Sequence, residues 1–200
     1  MKILALDSSG LVASVAVVEN DTLLAEYTVN YKKTHSQTLL PMLDEISNMT
    51  ELDLSTIDAI AVAGGPGSFT GLRIGSATAK GLGLALEKPL ISIPTTAAIA
   101  YNIWDTNKFV CPIMDARRNQ VYTGVYCYTD HRLDTVWEQD TMSIEALAEG
   151  LNCLDHEVIF LGDGVAVYRE KLEALLTIPF SFAPAHVNRQ RAAAVGALAE

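Results

Sequence analysis

The stretch GGPGSFTGLRIG, residues 64–75, packs five glycines and a proline around Ser68, Phe69 and Arg73. Glycine inside a regular element costs roughly 0.5–1 kcal/mol against alanine, so a run this dense points to a ligand, a tight turn or another backbone pressed close. It follows an apolar strand-like run, Ile57 to Ala63, and precedes a helix-like one, Leu72 to Leu86, which is the setting of a phosphate loop. The spacing excludes both standard forms. None of Gly64, Gly65 and Gly67 leads to the Gly-Lys pair of a P-loop. With Gly65 and Gly67 opening a dinucleotide-binding pattern, the third glycine would fall where Thr70 stands. What survives is generic: a loop of Gly65, Gly67 and Ser68 at a helix N-terminus, whose N–H groups can hold an anion.

Arg73 falls in the first turn of the expected helix, where the macrodipole disfavours a cation by up to ~1 kcal/mol. An acid is therefore expected against it, either a carboxylate of the chain such as Asp7, or a phosphate, or a partner's acid. Gly71, Gly75 and Ala79 recur at i, i+4 and i+8 and leave one helical face nearly bare. Such a face suits close packing on the chain's own sheet or against another helix. An earlier helix, opening near Ser36, carries Leu39, Leu40, Leu43 and Ile46 on one face, and Pro41 fits only near its opening turn. Two such helices from each of two similar chains would make a four-helix contact about a two-fold or pseudo-two-fold axis. The expectation drawn is that the bare face and these leucines form a partner interface.

Around this centre the chain reads as a repeat. The first half gives strands at Lys2–Leu6, Leu11–Val18 and Leu23–Asn30, then a helix, the strand Ile57–Ala63 and the glycine-rich helix. In the second half, FVCPIMD, QVYTGVYCY and RLDTVWEQ are strands. SIEALAEGL is a helix capped by Ser143, EVIFL is a strand, and Val165–Leu176 is a helix after the turn GDG. Both halves follow the order βββαβα. Asp7 closes the first strand of one half and Asp115 that of the other, each followed by a tight turn. We expect an α/β protein of two duplicated lobes, residues 1–103 and 104–200, with a cleft between them. A final helix, with Asn188 as a candidate cap, would return toward the first lobe; it reaches Glu200 without a glycine or proline stop, as a truncated chain would. This is the organisation of the actin, Hsp70 and sugar-kinase superfamily, also called RNase H-like. By that analogy Asp7, Ser8, Asp115, Arg117, Gly162 and Gly164 are candidate cleft or nucleotide contacts.

Bulk properties narrow the classes. Two hundred residues that are 50% hydrophobic allow a large core, and the net charge of −10, acidic in both halves, lacks a nucleic-acid footprint. Cys111, Cys127 and Cys153 read as reduced core residues of a cytoplasmic protein. Asp7 interrupts any signal-peptide core, and no apolar run is long enough to span a membrane. Four scattered histidines, His35, His131, His156 and His186, form no metal-binding pair. A hydrolase lacks support, since no metal motif, Ser/His/Asp spacing or cysteine–histidine pair is visible.

LALDSS at the N-terminus, THSQTLLPML, GGPGSFTGLRIGSATAKGLGLAL and DARRNQVYTGVY together resemble the bacterial TsaB family over most of residues 1–128. Beyond residue 130 the likeness lies mainly in the order of elements. The resemblance implies the dimerisation subunit of the machinery that places threonylcarbamoyl on tRNA adenosine beside the anticodon. It implies a homologous transferase, TsaD, as partner through the glycine-helix region, a P-loop ATPase subunit, TsaE, and a homodimer when the chain is alone. RNA would be reached only through the complex, with no membrane involved. The transferase carries an H-x-x-x-H metal motif where this chain reads ISIPTTAAIAY, residues 91–101, so no metal and no catalytic residue are expected. No cofactor is expected on the isolated chain, with ATP or ADP assigned to the complex. The competing reading is an active nucleotide-dependent enzyme of the actin-like kinase superfamily, with Asp7 and Asp115 as its acids.

Overall fold

The structure, a computed structural model, describes residues 1–31 and 35–200. The opening threonine of the THSQ run, Thr34, lies outside the described residues. Two compact units are present: Met1–Ala98 with Gln190–Glu200, and Ile99–Arg189.

The first unit opens with strands β1 (Lys2–Asp7), β2 (Val12–Glu19) and β3 (Thr22–Asn30), followed by helix α1 (Leu39–Thr50), strand β4 (Ala59–Ala63), helix α2 (Phe69–Leu86) and strand β5 (Leu90–Ile93). A short helix α3 (Thr95–Ala100) follows. The sheet runs in the order β3-β2-β1-β4-β5, antiparallel between β1, β2 and β3 and parallel between β1, β4 and β5. β1 and β4 are apolar along nearly their whole length because they lie in the middle of the sheet with both faces covered. β3 alternates little and stays exposed because it is an edge.

The second unit repeats this plan with β6 (Phe109–Arg117), β7 (Gln120–Thr129), β8 (Arg132–Ser143), α4 (Ile144–Leu154), β9 (Val158–Leu161), α5 (Val165–Leu175) and β10 (Phe180–Phe182). Its strand order, β8-β7-β6-β9-β10, matches the first sheet position for position. β1 and β6 hold the same central place, and Asp7 and Asp115 stand near their C-terminal ends. The repeat therefore extends one element further than βββαβα. β5 and β10 were not anticipated; they are four and three residues long and lie at sheet edges, where little apolar pattern is needed. The core of this unit joins Ile113, Val121, Val125 and Phe160 of the sheet to Leu147, Leu151 and Leu172 of its helices.

Helix α6 (Ala192–Ala199) belongs to the first unit, where Ala192 and Val195 pack on Ile3, Ala5 and Ala61. α1 and α2 cover the opposite face through Leu39, Leu43, Ile46 and Ala79. Two details depart from the sequence reading. α1 begins at Leu39, after a one-turn 3-10 segment at His35–Gln37, which leaves Pro41 in the first turn where its missing N–H is harmless. α6 is not capped by Asn188: its N-cap is Arg191, and its first N–H groups are satisfied from the sheet. Ser14 Oγ accepts from Ala192 at 2.9 Å, and Glu26 Oε1 accepts from Ala193 at 3.1 Å. Glu26 also pairs with the Arg191 guanidinium. The cysteines are not uniformly core residues either, since Cys153 on α4 is exposed while Cys111 is buried.

Glu26 thus holds both an arginine and a helix N-terminus. Glu26→Ala is expected to lower the unfolding free energy by about 2 kcal/mol, as loss of hydrogen bonds to a charged group does, with α6 loosening first. Urea unfolding with hydrogen exchange of the α6 amides checks this; unchanged protection there would contradict it.

Candidate functional site

Three places carry the residues singled out by the sequence: the turn after β1, the turn after β6, and helix α2.

The turn after β1 is closed by its own chain. Asp7, Ser8 and Ser9 are at most 2% exposed. Asp7 Oδ1 accepts from the Ser9 N–H at 2.8 Å and from the Ser9 hydroxyl at 2.6 Å. Ser8 Oγ donates to the Gly71 carbonyl at 2.9 Å, and the Ser68 N–H donates to the Ser9 carbonyl at 2.7 Å. From the other side His35 Nε2 bonds the Gly10 carbonyl at 2.8 Å, and the Gln190 amide lies against Gly10. Asp7 and Ser8 are therefore not open cleft contacts, as the sequence suggested, because α2 lies directly on them. Burial holds the Asp7 carboxyl above its ordinary value of 3.8, opposed in part by the two Ser9 hydrogen bonds. Among the described residues its second oxygen has no partner, nor do His35 Nδ1 and the Gln190 amide.

This is where the glycines of α2 act. A β-carbon at Gly67 would overlap the Ser9 carbonyl, and one at Gly71 would overlap the Ser8 carbonyl. One at Gly75 would crowd Ser8 Oγ, with Val62 of β4 behind it. Gly71, Gly75 and Ala79 are all buried. The bare face therefore packs on its own sheet and turn, which corrects the expectation that it meets a partner helix. Leu39, Leu43 and Ile46 are likewise core residues of this unit; of the four leucine-face residues only Leu40 is exposed. Gly65 takes φ +112 and its N–H donates to Thr95 Oγ1 at 3.1 Å. Ser68 caps α2 by accepting from the Gly71 N–H.

Arg73 does not pair with Asp7. Its guanidinium lies 3.8 Å from the centre of the Phe69 ring on the exposed side of α2, a cation–π contact that offsets the unfavourable dipole. Phe69, Arg73, Ala77, Lys80 and Leu84 make an outward stripe, with Phe69 69% and Leu84 83% exposed. A groove of about 430 Å³ runs along it beside Leu72 and Ser76. Sequence reasoning passed over Phe69 and Leu84 because it followed the glycines, which mark the opposite face.

The turn after β6 is open. Asp115 is exposed; its Oδ1 accepts from the Arg117 N–H at 3.0 Å and from the Tyr168 hydroxyl at 3.2 Å. The Asp115 N–H donates to Asp163 Oδ1 at 3.2 Å, and burial raises the Asp163 carboxyl. Gly162 and Gly164, expected as nucleotide contacts, are instead buried against β6. Gly164 N–H donates to the Ile113 carbonyl at 3.0 Å, and a β-carbon on Gly162 would overlap that same oxygen. Of the residues that hold Asp115, Asp163 stands inside the GDG turn, from which the sequence reading took only the glycines, and Tyr168 carried no motif that could have flagged it. Among the described residues no three His, Cys, Asp or Glu side chains converge as a metal site would require, and no helix is long and apolar enough to cross a membrane.

The profile of TsaD, tRNA N6-adenosine threonylcarbamoyltransferase, matches residues 22–199. The tRNA threonylcarbamoyladenosine biosynthesis protein TsaB of Bacillus subtilis is 35% identical over 176 residues, 88% of this chain and 77% of that protein. The chain belongs to the TsaB family. TsaB of Escherichia coli is 33% identical over 82% of this chain and 72% of its own. Among solved structures, YeaZ from Pseudomonas aeruginosa superposes with a TM-score of 0.82 at 27% identity, covering 99% of this chain and 90% of that one. The ethanolamine utilization protein EutJ of Carboxydothermus hydrogenoformans, TM-score 0.58 at 11% identity, and the ROK hexokinase of Thermus thermophilus, 0.54 at 14%, share the fold. This TsaB-family chain thus shares its duplicated α/β fold with both of these proteins.

Two expected outcomes test the closed turn. Gly71→Ala should cost about 3 kcal/mol, since the clash is with backbone that cannot swing away. Gly81→Ala, on the exposed side with nothing within 4 Å, should gain about 0.5–1 kcal/mol; urea midpoints of the two variants check the contrast. For Asp7, a folded pKa above the unfolded one means that the unfolded chain releases its proton first as pH rises, so the group costs stability above about pH 4. Asp7→Asn should therefore gain stability relative to the parent as pH rises above about 4. A pH-independent difference would contradict the burial assigned to Asp7.

Proposed function

We propose that this chain is the non-catalytic subunit of the complex that transfers threonylcarbamoyl to tRNA adenosine beside the anticodon, acting as partner to the homologous transferase TsaD. The observation that carries this reading is the sealed turn after β1: Asp7, Ser8 and Ser9 are spent on holding α2, so one of the two acidic turns that a nucleotide-using member would open to its ligand is filled by the chain itself. This favours a supporting subunit over an independent nucleotide-dependent enzyme. TsaE completes the complex in this reading, ATP or ADP binds in the complex rather than to the isolated chain, and tRNA is engaged by the assembly in the cytoplasm. Alone, the chain pairs with itself.

We assign the partner contact to the outward stripe of α2, together with Leu40 of α1, in place of the glycine face. An exposed Phe and Leu flanking Arg73 have the composition of a protein-interface centre. Leu84→Glu should weaken binding to TsaD and self-association at least tenfold, with a urea midpoint near that of the parent because the site is exposed. Threonylcarbamoyl transfer should require TsaD and be absent with the chain alone. A Leu84→Glu protein that binds TsaD with parental affinity, or transfer by the chain alone, would overturn the assignment.

A further inference from the structure

The hairpin joining β6 to β7 is built against the rule that the chain's other two-residue hairpins obey. Between β2 and β3 the left-handed positions are Asn20 and Asp21, at φ 49 and 59; between β7 and β8 they are Asp130 and His131, at 49 and 63. Asn, Asp and His are the residues enriched in that region. Between β6 and β7 three successive residues are left-handed, and two are arginines: Arg117 at φ 64, Arg118 at 51 and Asn119 at 60. A long L side chain there brings its β-carbon against the following carbonyl, so arginine is placed twice where asparagine or glycine would fold more easily.

Nothing among the described residues uses the two guanidinium groups. Both residues are exposed, and neither forms an ion pair with another described residue. The carboxylates beside them are engaged elsewhere. Asp115 accepts from Tyr168 and from the Arg117 backbone N–H. Glu145 accepts from Lys171 at 3.1 Å and from the Asn119 amide at 3.1 Å, while Asn119 Oδ1 accepts from Lys171 at 2.6 Å. The turn is thus braced from α4 and α5 with its arginines left facing outward.

We infer that Arg117 and Arg118 form a contact for the phosphate backbone of tRNA, an inference that rests on the tRNA-modification reading above. Guanidinium groups pair with phosphate oxygens through planar, forked hydrogen bonds. The hairpin fits that partner better than a protein one. Its tip carries no large apolar side chain, the exposed ones of this unit being Trp104, Val167 and Leu175 on other segments, whereas protein interfaces centre on apolar and aromatic groups. In a chain of net charge −10 two cations cannot hold RNA by themselves; they add a local contact within an assembly that binds it.

The test is the double variant Arg117→Asn, Arg118→Asn, made in the full chain and assembled with TsaD and TsaE. Thermal stability should equal or exceed that of the parent, because asparagine suits the left-handed turn, and assembly should be unchanged. Affinity of the assembled complex for an unmodified tRNA transcript should fall about tenfold, and the slope of log affinity against log salt should become shallower by about 1.5, as loss of two phosphate contacts requires. Parental affinity and slope, with the parent complex still modifying tRNA, would overturn this inference alone. Weaker assembly with an unchanged salt slope would overturn it in favour of a protein carboxylate, and weaker ATP binding with tRNA binding intact would overturn it in favour of a nucleotide phosphate. A parent chain that neither assembles nor supports modification would overturn the functional reading and this inference with it.

Discussion

Helix α2 can lie on the turn after β1 only because Gly67, Gly71 and Gly75 present no side chains to the carbonyls of Ser8 and Ser9 and the hydroxyl of Ser8. That approach fixes much of the first unit. It brings the N-cap Ser68 into hydrogen bond with Ser9 and the Gly71 carbonyl onto the Ser8 hydroxyl. It seals Asp7 from solvent and presses Ala79 into the core beneath α1. At Gly67 and Gly71 the atoms that would clash are backbone atoms of a buried turn, which have nowhere to go. The close approach then decides the exposed side of the same helix, since the side chains excluded from the glycine face must stand opposite: Phe69, Arg73, Lys80 and Leu84.

The duplicated fold makes the contrast between the units informative. The same strand order sets an aspartate near the end of the central strand in each, yet Asp7 is buried under its helix while Asp115 is exposed and held by Tyr168. One turn has become a structural rivet, and the other stays available to solvent. The same strand position therefore carries a sealed aspartate in one unit and an exposed one in the other.

The repeat and its class were legible because turn chemistry and apolar runs recur in the same order, and central strands such as Lys2–Asp7 are apolar between their charged ends. Ser143 was readable as a cap from position alone, whereas Ser68 was read only as part of the glycine-rich loop. β5 and β10 escaped because short edge strands are fixed by pairing with β4 and β9, not by their own pattern. The glycine stripe announced a close approach but not what approached: its spacing is the same whether a turn or a partner helix lies opposite, and only the tertiary contact with Ser8 decides. The Asp7 pairing considered for Arg73 failed for a related reason, since within the chain its guanidinium lies over a ring one turn earlier on the same helix. The cap of α6 comes from Ser14 and Glu26, more than 160 residues away in sequence, where no local signal could reveal it.

Amide hydrogen exchange at Ser9 and Ser68 in the isolated chain, with and without magnesium ATP, tests most directly whether the turn after β1 is a structural clamp. Both amides donate within the clamp, Ser9 to Asp7 and Ser68 to the Ser9 carbonyl. The account predicts exchange as slow as that of the central strand β1 and unaltered by nucleotide, because opening the turn requires lifting α2 off the sheet. Fast exchange of these amides, or protection that appears only when nucleotide is added, would contradict it and restore the turn as a ligand site.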